Sequence, residues 1–129
     1  MTEDLVSAMP FSSALGLKLK EASETRVVGT LEVSEGVTTT GDLMHGGALM
    51  AVADTLGAIG AFLTLPEGAG GTTTIESKTN FLGAARVGMT ITATATPVHV
   101  GKRTSVWQTR IERDDGRPVA LVTQTQLVL

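Results

Sequence analysis

The chain contains no cysteine and no tyrosine, and its only other aromatic residues are Trp107 and three phenylalanines. Without cysteine there is no disulfide framework, no thiol nucleophile and no thiolate metal site, and the absence fits the reducing cytoplasm. So few rings leave no platform on which bases could stack, and a net charge of −3 argues further against a nucleic-acid partner. The two histidines, His45 and His99, are far apart and there is no HExxH pattern, so no metal is expected. Neither a Walker motif nor a Rossmann glycine fingerprint is present. The opening MTEDLVSAMP carries two acids and lacks the basic-then-apolar order of a signal peptide. No uncharged apolar run reaches the ~20 residues that a membrane span needs. The nearest, residues 46–65, is interrupted by Asp54 and holds four glycines. The expectation is a cytoplasmic protein with no membrane or nucleic-acid partner.

What is present suits a globular fold. There is no repeat, low-complexity tract or linker in the 129 residues, so one domain over 1–129 is expected, long enough to bury a core. Apolar residues make up 42%, much of it Ala and Val, which is consistent with part of the apolar surface lying against a second subunit.

Residues 3–17 read as a short helix or turn. Residues 26–33 alternate, with Val27, Leu31 and Val33 on one face, as in a half-buried strand. Residues 34–44 are a polar Gly/Thr loop. Residues 45–65 then have helix length and composition, with His45, Asp54, Thr55 and Thr64 the only polar side chains. A helix apolar nearly all round must be buried nearly all round, and Pro66 closes it. Four strand-like runs follow at 72–81, 90–98, 104–113 and 118–129, the first alternating with Ile75 and Phe81 opposite Thr74, Glu76 and Lys78. The joins are short, at 83–88, 101–103 and 114–117, and the last holds an Asp-Gly hairpin signal. These features predict a four-strand antiparallel meander that curls round one helix, an α+β architecture whose remaining apolar surface a second copy covers.

Asp54 is the anomaly. A charged residue that forms helices poorly stands mid-helix among Met50, Val52, Ala53, Leu56 and Ile59. It reads either as a base or nucleophile or as a hydrogen-bonded structural aspartate. At the helix start, His45-Gly46-Gly47 offers free N–H groups, a positive dipole end and glycines that admit close approach, which suits an oxyanion. His45 also suits a plain cap. Gly101-Lys102-Arg103 is either a solvated hairpin tip or, with Arg86, a clamp for phosphates.

The run HGGALMAVADT, from His45 to Thr55, resembles the signature of the hotdog thioesterases of the phenylacetate-pathway (PaaI-like) and 4-hydroxybenzoyl-CoA types. TTIESKTNFLGAAR, HVGKRTSVWQTRI and GRPVALVTQTQLVL are similar to later stretches of that family in the same order, so the resemblance spans nearly the whole chain. It implies a hotdog fold and hydrolysis of aryl- or medium-chain acyl-CoA, with coenzyme A as part of the substrate and no further cofactor. It also implies homodimers, paired as a homotetramer. It assigns Asp54 as the catalytic carboxylate and the Gly46 N–H as oxyanion donor beside His45 and Gly47. Thr74 falls where a hydroxyl positions water or the carboxylate, and Lys102, Arg103 and Arg86 fall near the nucleotide end of CoA. Two residues depart from the pattern: Thr39 replaces an Asn or Gln, and Asp42 stands where glycine is common. Two rivals stand beside this reading. A hotdog hydratase or dehydratase needs a His–carboxylate pair across the site, and a non-catalytic acyl-CoA-binding module would be consistent with Thr39.

Overall fold

A computed structural model describes residues 2–129, with side chains from Leu5 onward. Two short helices, α1 (Thr2–Ser7) and α2 (Pro10–Ala14), lead into strands β1 (Lys18–Ala22) and β2 (Val27–Glu32). Two 3-10 turns, Glu35–Val37 and Thr40–Asp42, precede the long helix α3 (Gly46–Leu63). Strands β3 (Thr72–Phe81), β4 (Thr90–Val100), β5 (Thr104–Arg113) and β6 (Pro118–Val128) complete one six-stranded antiparallel sheet in the order β1-β2-β4-β5-β6-β3. This sheet packed on one central helix is the hotdog fold, as expected.

The core is the seam between α3 and the sheet. Leu49, Val52, Ala53, Leu56 and Ile59 recur at helical spacing and are buried against Leu31, Ile91, Trp107, Ile111 and Val122. Each large apolar side chain so buried contributes about 1.5–3 kcal/mol. Close approach is achieved with glycine: a Cβ on Gly60 would lie 2.5 Å from the Trp107 ring. By length and composition alone α3 would pass as a membrane span, but 56% of it is buried against the rest of the chain.

Two expectations are corrected and one strand is added. The strands after α3 do not form a four-strand meander. Only β4-β5-β6 do, while β3 pairs with β6 at the sheet edge, so the 83–88 connection is a crossover and not a hairpin. Short length alone does not distinguish the two. Strand β1, within a stretch that residue patterning leaves unassigned, pairs with β2 across a tight turn in which Ser23 Oγ accepts the Arg26 N–H. Within one chain α3 keeps an exposed stripe of Met50, Asp54 and Phe62, at four-residue multiples, the part of the helix that the sheet leaves open. Finally, β3 does not alternate regularly. Thr74 pairs with Gln126 and Phe81 with Ala120, both inward positions of β6, although 74 and 81 differ in parity. A one-residue bulge between Thr74 and Glu76 makes the switch.

The two edges of the sheet differ. β1 presents exposed Lys18, Lys20 and Glu21, which discourage pairing. β3 is ten residues long, with Ile75 and Phe81 more than half exposed and, among the described residues, no strand on its outer side. In the β5–β6 turn the Arg117 N–H, and then the Arg113 guanidinium, hold the Asp115 carboxyl below its ordinary range.

The Trp107 packing gives a stability prediction. Gly60→Ala should destabilise the protein by about 1–3 kcal/mol through overpacking, whereas Gly70→Ala, whose Cβ would meet only the Leu129 carbonyl at 4.0 Å, should be near neutral. Urea unfolding of the two variants checks this.

Candidate active site

Helix α3 sets both halves of the site. At its start His45 is the N-cap, and its Nδ1 accepts the Gly47 N–H at 2.8 Å. The imidazole lies back over the helix end because Gly47 has no side chain, since a Cβ there would sit 3.0 Å from Nδ1. With that N–H engaged, Gly46 carries the free donor: it is the first helical residue, so its N–H has no intrahelical acceptor, and among the described residues no other group takes it. The Phe81 ring covers Gly46, 3.1 Å from where a Cβ would be. Around them lies a cleft of about 270 Å³ lined by Thr39, Leu43, Met44, Gly46, Leu49, Phe81, Gly83 and Ala84.

The loop before the helix is tied down by its backbone. The Thr39 N–H bonds the Leu43 carbonyl, His45 N–H bonds Val37, and Met44 N–H bonds Ala85. Asp42 has φ +58°, a left-handed conformation that glycine adopts freely and aspartate tolerates. This is the physical reason for glycine being common there. Its carbonyl accepts the Val87 N–H.

Eight residues along α3, Asp54 is exposed on the uncovered stripe, not buried as its apolar neighbours suggest. Its Oδ1 accepts two hydrogen bonds, from Thr74 Oγ1 at 2.7 Å and from Gln124 Nε2 at 3.1 Å. Thr74 in turn accepts from Gln126 Nε2 at 2.6 Å, and Gln126 Oε1 accepts from Thr72 Oγ1 at 3.1 Å. Sequence patterning does not single out Gln124 and Gln126. The available signal is a pair of polar residues at two inward positions of β6, in line with Ala120 and Val122.

The structure thus brings His45, Gly46, Gly47 and Thr39 together at one end of α3, and Asp54 with Thr74 near its middle. It does not join the cations. Lys102 and Arg103 are exposed in the β4–β5 hairpin, where the Arg103 carbonyl accepts the Val128 N–H. Arg86 bridges to Leu43, near the Val119 end of β6. From Val119 to Val128 is roughly 30 Å at ~3.3 Å per residue, so one chain cannot form the clamp from all three. Among the described residues, no three His, Asp or Glu side chains gather in metal-binding range.

An apolar helix held in a curled sheet, with a free N–H at its start and a hydrogen-bonded carboxylate on its open face, defines a hotdog enzyme of acyl transfer to water. The chain belongs to the Thioesterase superfamily, whose family model matches residues 41–120. It is 30% identical, over 80% of its length and 82% of the relative's, to a 1,4-dihydroxy-2-naphthoyl-CoA hydrolase of Listeria monocytogenes. Solved structures agree. A mutant thioesterase from Pseudomonas aeruginosa superposes with a TM-score of 0.92 at 25% identity, covering 100% of this chain and 94% of that one. A thioesterase from Haemophilus influenzae gives 0.91 at 27% identity, with 100% and 90% covered. The chain is therefore a thioester hydrolase.

The cap geometry makes a separable prediction for His45. His45→Ala should cost about 1 kcal/mol of stability, while His45→Asn, which restores a capping acceptor, should recover most of it and keep turnover within a few-fold. Denaturation and steady-state assays on the pair check this. A loss of turnover in both variants at normal stability would instead assign the imidazole to the chemistry.

Proposed function

We propose that the enzyme hydrolyses aryl- or medium-chain acyl-CoA in the cytoplasm, with the Gly46 N–H as oxyanion donor and Asp54 as base or nucleophile, at sites shared between two chains. The observation that carries this is the separation of the two groups. Eight residues of helix place them about 12 Å apart along the axis at ~1.5 Å per residue. Each must come within about 3 Å of atoms at one reacting centre. The cleft at Gly46 has no carboxylate in its lining, and Asp54 faces out of the chain. Each half lacks what the other holds.

A two-fold dimer supplies the match. With α3 antiparallel to its copy, the midpoint between Gly46 and Asp54 falls at Met50, on the exposed stripe. With β3 antiparallel to its copy, the midpoint between Thr74, which holds Asp54, and Phe81, which covers Gly46, falls near Ser77 and Lys78. Helix and strand are thus consistent with one axis, and pairing covers Met50 and the open β3 edge. The same operation carries the Lys102–Arg103 hairpin, at the Thr72 end of β3, toward the partner's Arg86 at its Phe81 end. The phosphate clamp that one chain cannot build then forms across the interface. Pairs of such dimers make the homotetramer.

The chemistry follows. The Gly46 N–H polarises the thioester carbonyl. Either Asp54 takes a proton from water as the water oxygen bonds the carbonyl carbon, or a carboxylate oxygen bonds that carbon and water cleaves the resulting anhydride. Both routes release the acid and the CoA thiol. Thr39 lines the cleft in place of the family's amide and reaches the carbonyl or water through its hydroxyl. The aryl reading is supported by the aryl-CoA named for the Listeria relative and by the apolar cleft under Phe81.

Asp54→Asn should keep the fold and lower kcat by at least ~10²-fold in a thiol-release assay with benzoyl- and hexanoyl-CoA. Near-normal turnover would leave Asp54 a structural residue. Arg103→Ala should raise KM for CoA esters several-fold and leave KM for a pantetheine thioester unchanged. Equal effects on both substrates would remove the clamp.

A further inference from the structure

Strand β6 points four side chains at the core in sequence, Ala120, Val122, Gln124 and Gln126, and all four are buried. The two glutamines are 0% and 1% exposed, and a buried amide is costly unless its hydrogen bonds are made. Gln126 makes both, to Thr74 and from Thr72. Gln124 makes only one: its Nε2 donates to Asp54, and its Oε1 is buried with no partner among the described residues. Helix α3 is notched to admit it, because a Cβ on Gly57 would lie 2.2 Å from that Oε1. Glycine in a helix interior is itself destabilising relative to alanine. The fold gives up stability twice to keep Gln124 where it is.

The direction of each bond is forced from Asp54 outward. An ionised carboxylate only accepts, so both Gln124 and Thr74 donate to Oδ1. Having given its one hydrogen, Thr74 must accept from Gln126, which fixes that amide's orientation and makes Thr72 a donor to its oxygen. Four side chains therefore act in one direction on one oxygen, and successive bonds polarise one another. Among the described residues none engages Oδ2.

We infer that Gln124 and Gln126 are positioning residues that fix Asp54 through Oδ1 and leave Oδ2 as the single reactive oxygen. This rests on Asp54 being the base or nucleophile, as proposed above. On the general-base route Oδ2 takes the water proton, and on the other route Oδ2 bonds the carbonyl carbon. In both, the donors on Oδ1 fix its approach.

The test is that stability and turnover move in opposite directions. Gln124→Met, of similar length and without the unmade hydrogen bond, should raise Tm by about 2–4 °C and lower kcat about tenfold, with KM within about twofold. A core residue kept for packing would instead lose Tm while kcat held, and that result overturns the inference. Thr74→Val and Gln126→Met should each lower kcat, and the double variant should fall no further than Thr74→Val alone, because Gln126 acts only through that hydroxyl. Multiplicative losses would break the relay. Thr74→Ser should restore turnover whatever the folding of the glutamine variants, and its failure to do so would overturn the role of the hydroxyl. Asp54→Asn separates the two levels. If it retains turnover, the assignment of Asp54 itself fails. If it is inactive while the Gln124 and Gln126 variants turn over normally, only the positioning inference fails.

Discussion

Helix α3 carries one acidic side chain in eighteen residues, and its burial in the curl of the sheet constrains everything else in the structure. Leu49, Val52, Leu56 and Ile59 take up the concave face, and glycines at 57 and 60 let the backbone come close enough for Gln124 and Trp107 to fit. One stripe remains outside, and on it stands the carboxylate. A helix this apolar with an open stripe, beside an edge strand, suits the two-chain pairing proposed above. The chemistry and the proposed assembly therefore have one origin. The helix that organises the core also carries the proposed oxyanion donor and the proposed base, and its geometry keeps them apart within a chain.

The bulge in β3 is the second determinant. Without the extra residue at Ile75, Thr74 and Phe81 would face opposite sides of the sheet. With it, the hydroxyl reaches Asp54 and the ring reaches Gly46. One irregularity in an edge strand thus serves both ends of the site, where bulges commonly re-aim side chains. Gln124 shows the corresponding cost, a buried carbonyl oxygen without a partner among the described residues, beside the inferred positioning of Asp54.

Much of this is legible in the amino-acid sequence. The helix, the loop before it and five of six strands follow from periodicity and composition, and the family resemblance of the run from His45 to Asp54 marks the candidate site. What is not legible has physical causes. Strand order is non-local: the 83–88 segment has the length of a hairpin, and only pairing between 72–81 and 118–128 shows that it crosses over. A bulge shifts parity without altering residue types, so the alternation around Ile75 misleads. Asp54 reads as buried because its sequence neighbours are apolar, yet the helix turns it to the open stripe. The glutamines of TQTQ read as an ordinary polar alternation, and only the fold shows that they are the inward pair. Arg86 and the Lys102–Arg103 turn carry the right charge, but their distance within one chain belongs to the topology.

The central claim is that each active site is built from two chains, and complementation tests it most directly. Asp54→Ala removes the carboxylate, and Gly46→Pro removes the N–H at a first helical position, where proline is accepted. Each homodimer should be inactive. In a mixed dimer one site carries both defects and the other carries neither. Random reassortment of equal amounts should therefore restore about a quarter of wild-type activity in a two-fold dimer. If mass spectrometry shows mixed dimers while activity stays at background, both groups act within one chain and the shared site is contradicted.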